Sequence, residues 1–160
     1  MAVDFIPRIM CPANYVAVGE KCYSFQNEME IWDEARERCK DDDLSAGDLL
    51  MLETRNEAEL ITYYLQQKYG PNCAALPRAW IGAVKAAEGD FTYHWGNESG
   101  HTVFETSGIN WKPGAPQCTD FACAAYLECA SEFQWGDEFR YVLEIEGFIC
   151  EHEALASDMI

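Results

Sequence analysis

Basic residues are scarce in this sequence of 160 residues, in which 11 Lys and Arg stand against 28 Asp and Glu. The resulting formal charge of −17 repels nucleic acid and anionic membranes at long range, so we expect neither as a partner. The chain has no stretch of about 18 apolar residues, which a membrane-spanning helix would need. It has three histidines and no C-x-x-C pair, and both features argue against a structural zinc site.

The sequence does have eight cysteines, an even number. In an oxidising compartment, so many cysteines in one short chain indicate a set of disulfides, and we therefore expect a secreted, extracellular protein. The tripeptide Asn97-Glu98-Ser99 is an N-glycosylation sequon, which fits the same compartment. Aromatic residues make up 13% of the chain, enough apolar surface for one domain with a packed core.

Two segments are predicted to be helices. The spacing of apolar residues in 31–39 predicts an amphipathic helix with Cys39 on its inner face. A second helix should begin after Thr54, because Thr54 and Glu57 have the form of a capping box. It should continue to about Tyr69 and end at the Gly-Pro pair that follows.

Short apolar or alternating segments predict strands on both sides of the helices. Between them, from Lys85 to Ala122, the chain is rich in Gly, Thr, Ser, Asn and Pro. A loop region of this length inside a compact domain is typical of a functional site. The predicted strands are 15–18, 22–25, 79–83, 123–128, 133–135 and 147–151.

Seven short motifs follow one another along the chain. They are Cys11-Pro12 to Cys22, Trp32 to Cys39, Gly47-Asp48-Leu49, Trp80-Ile81-Gly82-Ala83, the loop motifs from Trp95 to Trp111-Lys112-Pro113-Gly114, Trp135-Gly136-Asp137, and Phe148-Ile149-Cys150-Glu151. In this order they resemble the long form of the C-type lectin-like domain, over residues 11–151, with 1–10 and 152–160 as terminal tails. The resemblance implies an α+β fold in which two helices flank small antiparallel sheets and a long loop region, stapled by disulfides.

The resemblance also implies two disulfides. Cys11–Cys22 would join the two ends of the amino-terminal hairpin, and Cys39–Cys150 would join the first helix to the last strand. The second bridge closes a loop of more than 100 residues, so it should stabilise the fold by about 4 to 5 kcal/mol in the chain-entropy model.

The other bridge of the family is incomplete in this sequence. Cys123 matches its first half, but no cysteine occurs near Arg140, where the second half belongs. The four remaining cysteines allow three pairings. Cys73 precedes the strand at Trp80, and Cys129 follows the strand at 123–128. In the fold that the resemblance implies, these two points should lie at the same end of the sheet, so we favour Cys73–Cys129 with Cys118–Cys123.

The loop motif that binds calcium and sugar in this family is also altered. Sugar-binding members have Glu-Pro-Asn or Gln-Pro-Asp in the loop and Asn-Asp in the next strand, where this chain has Ala115-Pro116-Gln117 and Gly136-Asp137. Calcium takes about six to eight oxygen ligands, and this set offers too few. We therefore expect no calcium-dependent sugar site of the usual kind, and we expect the fold to tolerate Asp137→Ala. The resemblance also implies that the peptide bond before Pro116 is cis. The residues expected to contact a ligand are Gln117, Asp120, Trp135 and Asp137.

A second calcium site of the family matches better. Some members hold a structural Ca²⁺ between the second helix and the last strand, and the corresponding residues here are Met51, Glu57 and Glu151. The alternative interpretation is that Glu57 only caps the helix and that Glu151 is a solvated residue at the end of a strand.

No motif of an enzyme occurs, since the three histidines lie near no recognisable nucleophile. The expected function is therefore recognition of a glycan or of a cell-surface protein, and innate recognition of microbial surfaces is the family-level analogy. A structural protein that adsorbs to mineral or ice is the alternative, and pairing with a second lectin-like chain would give a dimer.

Overall fold

The computed structural model describes residues 9–40, 47–85, 92–96, 110–119 and 122–155. Within these ranges it contains two α-helices, two 3₁₀-helices and eight strands. The strands are β1 (Val16–Val18), β2 (Lys21–Gln26), β3 (Asp48–Leu49), β4 (Arg78–Val84), β5 (His94–Trp95), β6 (Cys123–Glu128), β7 (Gln134–Phe139) and β8 (Gly147–Glu153). The α-helices are α1 (Trp32–Lys40) and α2 (Arg55–Tyr69), and the 3₁₀-helices are Gly70–Ala75 and Cys129–Ser131.

The predicted start and end of α2 are confirmed. Thr54 is its N-cap, and the Thr54 hydroxyl accepts a hydrogen bond from the Glu57 N–H at 3.1 Å. The Glu57 carboxylate accepts from the N–H of Glu53 at 3.2 Å, one residue earlier than a standard capping box predicts. The helix ends at Tyr69, where the chain continues into the 3₁₀-helix. The first turn of α2 is thus fixed by its own side chains.

The described strands form one mixed sheet rather than several small antiparallel ones. Its order is β1-β2-β8-β4-β6-β7, while β3 pairs with β8 and β5 pairs with β4. All neighbours are antiparallel except β4 and β8, which are parallel. The predicted α+β class with two helices is confirmed, and the strands expected in small antiparallel sheets are joined into one mixed sheet by the parallel pairing of β4 with β8. The chain returns to the centre of the sheet only with its last strand, and local sequence patterns carry no signal for this pairing.

Alternate residues of β4 belong to two hydrophobic clusters. Trp80 and Val84 are buried with α1, whereas Ala79, Ile81 and Ala83 are buried with α2. Because successive side chains of a strand point to opposite faces of a sheet, the two helices cover opposite faces. This explains why the strand has no polar side chain from Ala79 to Val84.

Four disulfides join the eight cysteines in the pairs expected above: Cys11–Cys22, Cys39–Cys150, Cys73–Cys129 and Cys118–Cys123. Arg140 lies near the position where the resemblance implies a cysteine, and its backbone N–H donates to the Ala122 carbonyl at 2.9 Å. Its buried guanidinium pairs with Asp33 of α1 and lies 4.7 Å from the centre of the Trp32 ring. An ion pair and a cation–π contact thus connect this end of β7 to α1.

The last strand extends beyond the predicted domain boundary at residue 151. β8 continues to Glu153, and the N–H of Leu155 donates to the carbonyl of Met10 at 2.8 Å. The boundary at 151 therefore cuts through a strand, and the described parts of both predicted tails are attached to the domain.

Candidate functional site

The carboxylate of Asp137 in β7 connects two described segments of the loop region to the sheet. Its Oδ1 accepts a hydrogen bond from the N–H of Gln117 at 2.8 Å. Its Oδ2 accepts from the N–H of Cys118 at 3.0 Å and from the hydroxyl of Tyr93 at 2.8 Å. Both oxygens are therefore engaged by the protein itself, and they tie the loop segment at 117–118 to the sheet.

Tyr93 is a partner of Asp137 that the sequence analysis missed. The residue is buried, and its ring lies against that of Trp111 with centroids 5.3 Å apart. Burial raises the pKa of the Tyr93 phenol well above its ordinary value, and the neighbouring Asp137 carboxylate raises it further. The phenol therefore stays protonated and serves as a hydrogen-bond donor.

Gly136, which precedes Asp137, has no room for a side chain. A Cβ atom at this position would lie 2.5 Å from Cζ and 2.6 Å from the hydroxyl oxygen of Tyr126 in β6. The Tyr126 hydroxyl in turn accepts from Lys112 Nζ at 3.2 Å, and Lys112 pairs with Glu128 at 2.6 Å. The position from which an asparagine would ligate calcium is thus filled by an aromatic ring.

The expectation that Trp135 contacts a ligand is wrong. Its side chain is 1% exposed and belongs to the core, where its ring meets Trp95 at 5.8 Å and Trp111 at 5.6 Å between centroids. Alternation along β7 explains the burial, since residues of one parity in a strand point into the core. Trp135 therefore packs in the core against Trp95 and Trp111 and is not available at the surface to contact a ligand.

Of the other predicted ligand contacts, Gln117 is exposed beside the cis peptide bond between Ala115 and Pro116. Asp120 and the glycosylation candidate Asn97 lie outside the described residues. The structure therefore brings Gln117 and Asp137 together, through the hydrogen bond between the Gln117 N–H and the Asp137 carboxylate.

The three residues of the predicted structural calcium site also lie together, but around a lysine. Lys21 Nζ is 3.4 Å from Glu57 Oε1 and 3.5 Å from Glu151 Oε2. The remaining oxygens accept backbone N–H groups: Glu151 Oε1 that of Met51 at 2.5 Å, and Glu57 Oε2 that of Glu53 at 3.2 Å. Each of the four carboxylate oxygens thus has a partner within the protein.

These residues do not fit a resident calcium ion. Calcium requires about six to eight oxygen ligands, whereas the four oxygens here face two N–H groups and an ammonium of the same charge sign as the metal. The described residues include no group of three or more His, Cys, Asp or Glu that could hold a metal. The three residues predicted from the resemblance, Met51, Glu57 and Glu151, therefore do lie together. The cation between the two carboxylates is the ammonium group of Lys21.

The ionisation of Lys21 and that of Glu151 depend on each other. Burial raises the pKa of Glu151 to about 7, although Lys21 and the N–H of Met51 work to lower it. Burial works to lower the pKa of Lys21, but Glu151, Glu57 and Glu153 together raise it above its ordinary value. Lys21 therefore stays charged, and its charge offsets part of the cost of burying Glu151.

Comparison with known proteins agrees with this architecture, although no model of a known protein family matches the chain. The rat (Rattus norvegicus) asialoglycoprotein receptor 1 is 28% identical over 148 residues, which cover 87% of this chain and 46% of the receptor. The solved mouse scavenger receptor C-type lectin carbohydrate-recognition domain is 28% identical, with a TM-score of 0.68, over 91% of this chain and 98% of that one. The chain folds as a C-type lectin-like domain.

The fold alone is shared more widely. A solved calcium-independent type II antifreeze protein is 18% identical to this lectin-like domain, with a TM-score of 0.67, over 93% of this chain and 98% of that one. The domain spans less than half of the length of the rat receptor. None of these three relatives is an enzyme by name. Within the described ranges, none of the helices of the domain combines the length and the apolar character that crossing a bilayer requires.

Proposed function

We propose that this lectin-like domain is an extracellular recognition module that binds a glycan or a cell-surface protein without a calcium-bridged sugar contact. The observation that carries the proposal is the state of Asp137, whose two carboxylate oxygens accept three hydrogen bonds from Gln117, Cys118 and Tyr93. Because these hydrogen bonds hold the loop segment against the sheet, the Asp137 carboxylate is not available to coordinate a metal that also binds a sugar.

The surface proposed for the ligand lies around Gln117 and Phe139. The side chain of Phe139 is 43% exposed, and the residue pairs with Cys123 in the sheet. Cys123 is bridged to Cys118, the neighbour of the exposed Gln117. These links support a contiguous surface that combines an aromatic ring with an amide, the kind of mixture that sugar and protein ligands both use.

A glycan array probed in calcium and in chelator tests this proposal. We expect the same binding in both buffers, weaker binding by Gln117→Ala and Phe139→Ala, and unchanged binding by Gln67→Ala, which alters an exposed glutamine on α2. Binding that chelator abolishes would contradict the proposal, because it would require a metal-bridged site. Size-exclusion chromatography of the same sample tests for the proposed dimer.

The extracellular assignment is supported by the four disulfides, because such bridges persist in oxidising compartments. Thiol titration of the protein isolated from its natural source, in denaturant without reductant, should detect no free thiol. Two or more reactive thiols per chain would remove the basis for this assignment.

The net charge of −17 favours a second candidate, adsorption to a mineral surface. Dense carboxylates attract the calcium ions of a crystal face, so the domain would slow crystal growth at low concentration. A crystal-growth assay run beside the glycan array separates the two functions. Glycan binding without an effect on growth supports recognition, and the reverse result supports adsorption to mineral; an ice-growth assay covers the corresponding alternative for ice.

A further inference from the structure

The Lys21 ammonium connects three elements of the fold. It extends from β2 to Glu57 in the first turn of α2 and to Glu151 in β8. In the register of β2 and β8, Lys21 stands opposite Glu153 and diagonal to Glu151, so three carboxylates surround one lysine. The position is the one where the resemblance to lectin-like domains implies a calcium ion.

Both carboxylates are held in place independently of Lys21. Glu57 is fixed by the N-cap of α2, through its own N–H to Thr54 and its carboxylate to the N–H of Glu53. Glu151 is fixed by its place in the sheet and by the N–H of Met51. Removal of the lysine would therefore leave the two carboxylates facing each other.

Both carboxylates of such a pair can stay ionised only if a cation lies between them. The side chains of Glu57 and Glu151 are only 25% and 13% exposed, so water screens their repulsion poorly. Two rigidly placed carboxylates, with water as further ligands, are a suitable start for a calcium site.

We propose that Lys21 takes the place of a divalent cation in this domain, and that replacing Lys21 by a neutral residue opens a calcium site between Glu57 and Glu151. It follows that the wild-type domain gains no stability from calcium, in contrast to the Lys21 variants. The inference concerns the stability of the domain and is independent of the proposed ligand surface.

Thermal melting in calcium and in chelator tests the proposal. We expect no calcium shift for the wild type. Lys21→Ala should melt below the wild type in chelator and regain several degrees in millimolar calcium, because the metal binds only the folded state. Glu151→Gln in the Lys21→Ala background should remove that gain, because it removes a charged ligand.

Lys112→Ala is the matched control. Lys112 also pairs with a partly buried glutamate, Glu128, and the two side chains are 24% and 22% exposed. Within the described residues, however, Lys112 has one carboxylate partner and not two. Calcium should therefore not rescue this variant. Rescue of both lysine variants would mean a general effect of calcium on an acidic protein and would overturn the proposal.

A direct measurement covers the case in which Lys21→Ala does not fold in chelator. The variant is then refolded in calcium, or replaced by Lys21→Gln, and titrated with terbium, whose emission Tyr23 can sensitise from its position opposite Glu151. Emission from the variant but not from the wild type supports the proposal. A calcium shift in the wild type, or neither shift nor emission in a folded Lys21 variant, overturns it.

Discussion

The ring of Tyr126 fills the space that a side chain on Gly136, in the neighbouring strand, would need. The two residues are paired in the register of β6 and β7, and a Cβ on Gly136 would come within 2.5 Å of the ring. Because real Cβ atoms do not approach other heavy atoms so closely, the glycine and the tyrosine fit only together. This pair is a structural reason why the strand does not carry the asparagine that the resemblance to sugar-binding lectin-like domains would place there.

Gly136→Asn should destabilise the domain by about 1 to 3 kcal/mol and should not create calcium binding, because the new side chain displaces the Tyr126 ring. In a Tyr126→Ala background the same substitution should cost much less, which a double-mutant cycle in urea measures. Gly70→Ala is the control, since a Cβ at Gly70 meets no atom within 4 Å. Additive costs at 126 and 136 would contradict the described contact.

Asp137→Ala should lower the free energy of unfolding by about 2 to 3 kcal/mol, because it leaves the N–H groups of Gln117 and Cys118 and the Tyr93 hydroxyl without their acceptor. This replaces the expectation, drawn from the sequence, that the fold tolerates the change. Glu138→Ala next to it is the control, because among the described residues the Glu138 side chain accepts one hydrogen bond, from the neighbouring N–H of Phe139. Equal stability of the two variants would argue against the network.

Alkaline pH should destabilise the domain through its buried tyrosines. Burial and nearby carboxylates raise the pKa of Tyr93 and of Tyr23 in the folded state, whereas an unfolded tyrosine ionises near pH 10. Above about pH 10 the unfolded chain releases protons that the folded one keeps, so stability falls by up to about 1.4 kcal/mol per pH unit for each such group.

Urea unfolding at a series of pH values measures this slope. Tyr93→Phe should make the decline above about pH 10 shallower, although it also loses the hydrogen bond to Asp137 at neutral pH. Tyr63→Phe is the control, because Tyr63 is 65% exposed. An unchanged slope in Tyr93→Phe would mean that the Tyr93 phenol already ionises in the folded protein.

The four disulfides should contribute unequally. Cys39 and Cys150 are 111 residues apart and Cys118 and Cys123 only five, so the chain-entropy model gives about 5 and about 2 kcal/mol. Replacing both cysteines of each pair by serine and comparing urea midpoints tests this order. A larger loss for the short loop would indicate that strain or packing, and not chain entropy, sets the contributions.

The features that depend on residues close together in the chain were predicted well from the sequence. The start of α2 could be predicted because Thr54 and Glu57 act on each other within one turn, and the spacing around Cys39 placed α1 within one residue. The parallel pairing of β4 with β8 could not be predicted, since it joins segments far apart in the chain. Such pairings depend on the whole topology and not on a local pattern.

The candidate site was predicted less well than the fold. The sequence indicated Gln117 and Asp137, but it contained no sign that Tyr93, from an irregular segment 44 residues earlier, would donate to Asp137. It likewise gave Lys21 no role, because a lysine next to a hairpin turn is ordinarily a solvated residue. The register of β2 against β8 brings that lysine to Glu151, and the tertiary packing of α2 brings it to Glu57.

The bridge between Cys39 and Cys150 turns most of the chain into a covalent ring. A protease that makes one cut anywhere between these two residues opens the ring but releases no fragment. The nicked molecule would keep its mass, apart from one added water, on a gel run without reductant, and would separate into pieces only when reductant is added. Integrity of this protein in a proteolytic fluid must therefore be judged on reduced samples.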